Sequence, residues 1–272
     1  MKIPHTQITT VQQVNWQQLL QAPLLPTACS LICAPLSLVT AVSHLPLSQA
    51  EHWRMQQFRQ KVDQLRYGLA HRLKRALLAH LRACDPLDLT FIQNAAGKPA
   101  LLPAHGKVQF NLSHSGPMVT LALSHQGAIG CDVQFAPSYR SQAAELPTDL
   151  LYHPTDPTDP DLEKHFFSCW AQKEAICKAE GSGLQIPLTQ LPLYSSNQHD
   201  MAHQFSSRGR GNTGFWFGAE RQSYSEWQQQ RWYCRHREVR YGNTQGWLAV
   251  AQTQPAPVQY FLLKDAFLDS TV

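Results

Sequence analysis

The chain has 272 residues, of which 43% are hydrophobic and 15% charged, with a net charge of +4. That hydrophobic share supplies a core for one large or two smaller domains and excludes a disordered chain, while 18 prolines and 14 glycines exclude collagen-like or low-complexity architecture. The mild positive charge suits a polyanionic small molecule or an acidic partner, and is too weak to specify nucleic acid.

Between Ile3 and Ala50 there is no Asp, Glu, Lys or Arg. The most apolar part, residues 31–42, is shorter than the ~20 residues a membrane span needs and is interrupted by Pro35, so buried strands are the better reading. A secretory signal is also a poor fit, because Gln and Asn fill residues 12–21. Residues 1–30 read as an N-terminal extension of unknown packing, and residues 37–42 as a strand. Ser48 and Glu51 then form a capping box, each side chain suited to the other's free amide. Behind it, Phe58, Val62, Leu65, Leu69, Leu73 and Leu77 recur at helical spacing and give one apolar stripe. The other faces carry Arg54, Arg59, Lys61, Arg66, Arg72, Lys74, Arg75 and Arg82. Most of these read as a solvated helix face, although a phosphate-binding surface has the same composition.

Further on, residues 89–92 predict a short strand, and 94–99 a turn carrying Lys98. Residues 110–112 and 119–123 predict two strands joined by the polar loop Ser113-His114-Ser115-Gly116-Pro117. Residues 128–133 predict another strand containing Asp132. The stretch 135–161, with HPTDPTDP at 153–160, cannot be a helix interior and reads as a connector. A helix is expected over 162–180, stopped by Gly181. Strand candidates follow at 191–194, 214–219, 231–236, 247–251 and 258–263, with a polar loop over 195–213. The expected class is α+β in two halves: 31–134 on the N-terminal side, the connector 135–161, and 162–272 on the C-terminal side.

Taken singly, the polar clusters have plain explanations. Asp132 in an apolar strand must be paired, hydrogen-bonded or metal-bound. Trp170, Glu174 and Lys178 are four apart and share a helix face; alone, Glu174 and Lys178 amount to a surface ion pair. Ser113 and His114 could be turn residues. A hydrolase nucleophile elbow is absent. His199 and His203 lack the glutamate of a zinc helix, and Gly97-Lys98 lacks the earlier glycine of a phosphate-binding lysine loop. Seven scattered cysteines without a CxxC pair read as reduced thiols of a cytoplasmic protein.

In combination and in this order, GKP at 97–99, FNLSHS at 110–115, GCDV at 130–133 and WAQKEAICK at 170–178 followed by GSGL resemble the 4'-phosphopantetheinyl transferase superfamily. The match is to its large, two-halved, surfactin-synthetase-activating type, over roughly residues 35–252. The resemblance implies two similar α/β halves with coenzyme A between them. It implies transfer of the phosphopantetheine arm to a serine of an apo acyl or peptidyl carrier protein, with release of adenosine 3',5'-bisphosphate. It further implies a monomer that binds neither nucleic acid nor membrane. Asp132 and Glu174 would ligate Mg²⁺, with Gln134 as a third candidate. Glu174 would also accept the serine proton, and Lys178 would stabilise phosphate charge. His114, Ser113, Lys98, Arg66 and Lys61 would contact coenzyme A.

Two departures stand out. Many members carry an acidic residue where this chain has Gln134, and a position that some members fill with a candidate base glutamate holds Asp156. The alternative function is a non-catalytic coenzyme A or nucleotide-binding module that kept the fold. Gln134 favours it; retention of Asp132, Glu174 and Lys178 together opposes it.

Overall fold

The computed structural model describes residues 10–136, 146–195 and 214–264. Two sheets lie face to face with a helix on each outer side. The first sheet runs β1 (Val11–Val14), β13 (Val258–Leu263), β2 (Cys29–Pro35), β6 (Met118–Ser124), β5 (Gln109–Ser115) in spatial order. The second runs β7 (Ile129–Phe135), β12 (Thr244–Gln252), β11 (Gln230–Tyr241), β10 (Arg221–Trp227), β8 (Tyr194–Ser195), with β9 (Phe215–Phe217) paired to the far end of β11. A small hairpin, β3 (Phe91–Gln93) and β4 (Pro99–Leu101), stands apart from both. The fold is α+β.

Strand alternation sorts the core into three layers. Leu31, Cys33, Ile129, Cys131, Val133, Leu248 and Val250 fill the space between the sheets. Ile32, Ala34, Val119 and Leu121 turn outward onto α3 (Lys61–Arg82), whose Leu69, Leu73 and Leu77 form the expected stripe. Ala249 and Ala251 turn the other way, onto Ala175 and Ile176 of α4 (Leu162–Glu180). Strands covered on both faces show no apolar–polar alternation, which is why β2 reads as one continuous apolar run.

Helix α4 has the expected bounds. Asp161 caps its first turn by accepting from the Lys164 amide at 3.1 Å, and Gly181 ends it at φ 99°, a backbone conformation open to glycine. Ahead of α2 (Gln49–Gln56), Ser48 and Glu51 make the expected capping box.

Other expectations are corrected. Residues 37–42 are not a strand: the chain makes a 3-10 turn over Leu36–Val39, because a short apolar run does not by itself separate strand from buried turn. Ser113, His114 and Ser115 lie in β5 rather than in a loop, and the turn is confined to Gly116 and Pro117. Strand β10 has no signal in its hydropathy, since its buried positions are Ser223 and Ser225. The packing of the N-terminal stretch, left open by the sequence, is described from residue 10 onward. β1 pairs in parallel with β13, and Val14 and Leu19, the latter in α1 (Trp16–Gln21), join the core. Sheet membership also crosses the expected divisions between halves: β7 pairs into the second sheet and β13 into the first. Backbone pairing over such separations leaves no local trace in sequence. The polar stretch 196–213, with His199 and His203, and residues 137–145 of the connector lie outside the described residues. All seven cysteines are free, and among the described residues no helix is long and apolar enough to cross a membrane.

Candidate active site

The site begins at Gly130. A Cβ there would overlap the Ala175 carbonyl oxygen and the Ala179 nitrogen, so the missing side chain lets α4 lie directly on β7. Two residues on, and on the same strand face, Asp132 meets that helix. Its Oδ1 accepts from Lys178 Nζ at 2.5 Å and from Ser113 Oγ at 2.7 Å; its Oδ2 accepts from Gln134 Nε2 at 3.0 Å. Glu174, one turn before Lys178, faces the same cavity. It makes no hydrogen bond or ion pair with any described residue.

The cavity encloses about 320 Å³. Asp132 and Gln134 line it from β7, Trp170, Glu174 and Lys178 from α4, and Ser113 and His114 from β5. Tyr67 and His71 close it from α3. Residues on both sides of the connector thus reach one space.

The charges there are coupled. Burial raises the pKa of Glu174, and the Asp132 carboxylate adds to this against the pull of Lys178. Burial works against a charged Lys178, but Asp132 outweighs it and raises the amine's pKa, keeping it an ammonium. Enclosure of the His114 ring, followed by the positive charges of Arg66 and Lys178, lowers the pKa of that imidazole.

The remaining predicted contacts are less central. Arg66 is outside the cavity lining. Its Nε donates to the Gly116 carbonyl at 3.0 Å and its Nη1 to Asp63 at 3.0 Å, yet its charge still bears on His114. Lys61 is exposed and donates to Gln64 at 3.3 Å, away from the cavity. Lys98 spends its amine on the carbonyls of Ala179 at 2.7 Å and Ile129 at 3.2 Å, and burial lowers its pKa to about 8. Asp156 is buried away from the cavity. It pairs with Lys173 Nζ at 2.6 Å and accepts from the amides of Leu193 and His153 at 2.8 and 2.9 Å.

Sequence reasoning missed Tyr67 and His71. Their four-residue spacing on α3 was the available signal, and their rings stack at 3.9 Å. Behind them, Glu51 lies 3.1 Å from His71 Nδ1, pairs with Lys74 Nζ at 2.8 Å and binds Arg75 Nε. Lys74 and Arg75 are therefore buried partners of the capping glutamate and not part of a solvated face.

Among the described residues there is no group of three or more His, Cys, Asp or Glu able to cage a metal. Two carboxylates and an amide do fit Mg²⁺, a hard ion that takes one or two protein carboxylates and fills its shell with water and substrate phosphates. Glu174, half-buried without a hydrogen-bond donor from the described residues, is the side chain such an ion would satisfy.

Fold and cleft together define an α+β protein with a polar cavity lined by Asp132, Glu174, Lys178 and His114 beside the facing edges of two sheets. A family profile described as 4'-phosphopantetheinyl transferase, N-terminal, matches residues 35–126. The chain is 30% identical over 161 residues to the 4'-phosphopantetheinyl transferase Sfp of Bacillus subtilis, covering 53% of this chain and 69% of that protein. It is 35% identical over 127 residues to the 4'-phosphopantetheinyl transferase AcpT of Escherichia coli O157:H7, covering 45% of this chain and 63% of that one. A relative from Synechocystis sp. is 30% identical over 150 residues, 53% of this chain and 61% of its own length. The chain therefore spans 61–69% of the length of these relatives. It belongs to the 4'-phosphopantetheinyl transferase family.

Proposed function

We propose that this protein transfers the 4'-phosphopantetheine arm of coenzyme A to a serine hydroxyl of an apo acyl or peptidyl carrier protein, with Mg²⁺, releasing adenosine 3',5'-bisphosphate. One observation carries the reading: Asp132, Glu174 and Lys178 converge on a single cavity from β7 and α4. Family membership supplies the reaction class.

Asp132 and Glu174 are the residues that would hold Mg²⁺, with Gln134 beside them. When bound, the ion would offset charge on the pyrophosphate. The serine oxygen attacks the β-phosphorus, forming a new P–O bond as the bond to the adenosine bisphosphate breaks. Glu174 accepts the serine proton; burial raises its pKa and makes it a better base than an ordinary carboxylate. Lys178 remains an ammonium beside Asp132 and balances charge on the transferring phosphate. His114, with Arg66 behind it, receives the phosphates of coenzyme A. The reaction is that of a cytoplasmic monomer.

The test is mass spectrometry of a panel of apo carrier proteins incubated with coenzyme A, Mg²⁺ and this protein. The expected result is one added phosphopantetheine on a carrier, absent with Glu174→Gln. Coenzyme A binding without transfer to any carrier would instead favour a non-catalytic binding module.

A further inference from the structure

Strands β5 and β7 are the end strands of the two sheets. They do not pair through their backbones. Three alternate side chains of β5 instead reach across to the open edge of β7. Asn111 Oδ1 accepts the Cys131 amide at 3.0 Å, Ser113 Oγ the Val133 amide at 3.3 Å, and Ser115 Oγ the Phe135 amide at 3.0 Å. Lys98 extends the same edge by donating to the Ile129 carbonyl. An edge strand's free polar groups need partners when buried, and here side chains supply them.

Ser113 is the middle rung, and its hydroxyl is fully committed. A hydroxyl has one proton to donate and two lone pairs to accept with. The proton goes to Asp132 Oδ1 at 2.7 Å; the lone pairs receive the Val133 amide and Lys178 Nζ, the latter at 3.1 Å. A phosphate oxygen needs a donor, so it could bind Ser113 only by displacing Asp132.

We propose that Ser113 is a positioning residue and not a coenzyme A ligand: it holds Asp132 and Lys178 in a fixed triangle through the side-chain ladder joining the two sheets. The kinetic part of this rests on the transferase reading above. Ser113 acts through its neighbours, as outer partners of a metal-binding carboxylate do, where loss typically costs about 10–100-fold in metal affinity.

The experiment compares the full chain with Ser113→Ala and Ser113→Thr. In Ser113→Ala, amide hydrogen exchange speeds up at Val133, while Cys131 and Phe135, held by Asn111 and Ser115, stay protected. By calorimetry, magnesium affinity falls about tenfold or more, with coenzyme A affinity within about twofold of the wild type. In carrier modification, kcat falls by about 10–100-fold with little change in the KM for coenzyme A. Ser113→Thr keeps the hydroxyl on a β-branched side chain suited to a strand, and restores all three. A raised KM for coenzyme A at unchanged kcat, unchanged exchange at Val133, or unchanged magnesium affinity overturns the proposal. A wild-type protein that binds both ligands but transfers nothing overturns the transferase reading alone, because exchange and calorimetry still decide the role of Ser113.

Discussion

Two of the three lysines of helix α4, Lys173 and Lys178, lie five positions apart; each pairs with an aspartate, and the two pairs differ in kind. Lys173 and Asp156 have side-chain exposures of 0% and 2%. Lys173 also donates to the carbonyls of Leu151 and Leu188, and Asp156 accepts two amides, so every charge is met inside the protein and the pair ties the connector to the helix. Lys178 and Asp132 have exposures of 26% and 1%, and theirs is the pair that opens on the cavity beside an unbonded Glu174. The same residue types thus form a sealed fastener at one position and, five residues on, a pair that faces the cavity. What separates them is access: the sealed pair cannot reach a ligand, whereas the open one keeps a partly exposed ammonium next to a carboxylate that makes no hydrogen bond with a described residue.

The largest expected effect comes from breaking the sealed pair. Lys173→Ala leaves the Asp156 charge buried and unpaired, and should lower unfolding free energy by about 3–5 kcal/mol. Replacing both residues, Lys173→Met with Asp156→Leu, should recover only part of that loss, because the Leu151 and Leu188 carbonyls and the Leu193 and His153 amides then lose their partners. Urea denaturation measures it, and a single variant within about 0.5 kcal/mol of the wild type would show that the pair does not hold the connector.

Breaking the open pair should cost less in stability and more in chemistry. In Lys178→Ala, Asp132 keeps its bonds to Ser113 and Gln134, so the expected loss is about 1–2 kcal/mol. Carrier modification should drop by about 10²–10³-fold. A stability loss matching that of Lys173→Ala would erase the distinction between the pairs.

A third expected effect is acid sensitivity at one histidine. His236 in β11 is held to about 3, well below its usual value, first by burial and then by the Arg221 charge. The unfolded chain therefore takes up a proton near pH 6.5 that the folded chain refuses. Stability from this residue is complete above pH 6.5 and is lost as pH falls towards 3. His236→Gln should flatten the melting temperature across that window, and an unchanged acid slope would assign the loss to the carboxylates.

The smallest stability effect is expected at Glu174. Glu174→Gln removes a charge that makes no hydrogen bond to a described residue, so it should stay within about 0.5 kcal/mol of the wild type while abolishing transfer. Differential scanning calorimetry beside the mass assay checks both. Substantial destabilisation would mean that Glu174 is structural.

Much of the site could be read along the chain because its residues sit in short motifs. Asp132 follows a glycine that admits the helix, and Trp170, Glu174 and Lys178 repeat at one helical turn. Lys98, Ser113 and Asp156 show the limit of that reading. Each matches a motif position, yet the structure commits each to groups 17 or more residues away: Lys98 to the ends of β7 and α4, Ser113 to the edge of β7, and Asp156 to Lys173 and Leu193. The capacity of a polar side chain is finite, and no motif records where it has been used. Tyr67 and His71 show the converse, since ordinary residues on a basic helix become cavity walls once α3 packs over the first sheet.

By itself, the sequence determined the start of α2 and both limits of α4, where caps and a terminal glycine act within a few residues, the α+β class, and the family through its ordered motifs; it did not show α1 or the break at residues 57–60 that separates α2 from α3. Tertiary structure alone decided that β1 joins β13, that β10 exists despite its buried serines, and which of two Asp–Lys pairs faces the cavity. Caps and periodicity are written in neighbouring residues, whereas strand pairing, burial and the last free hydrogen bond depend on what the rest of the chain brings alongside.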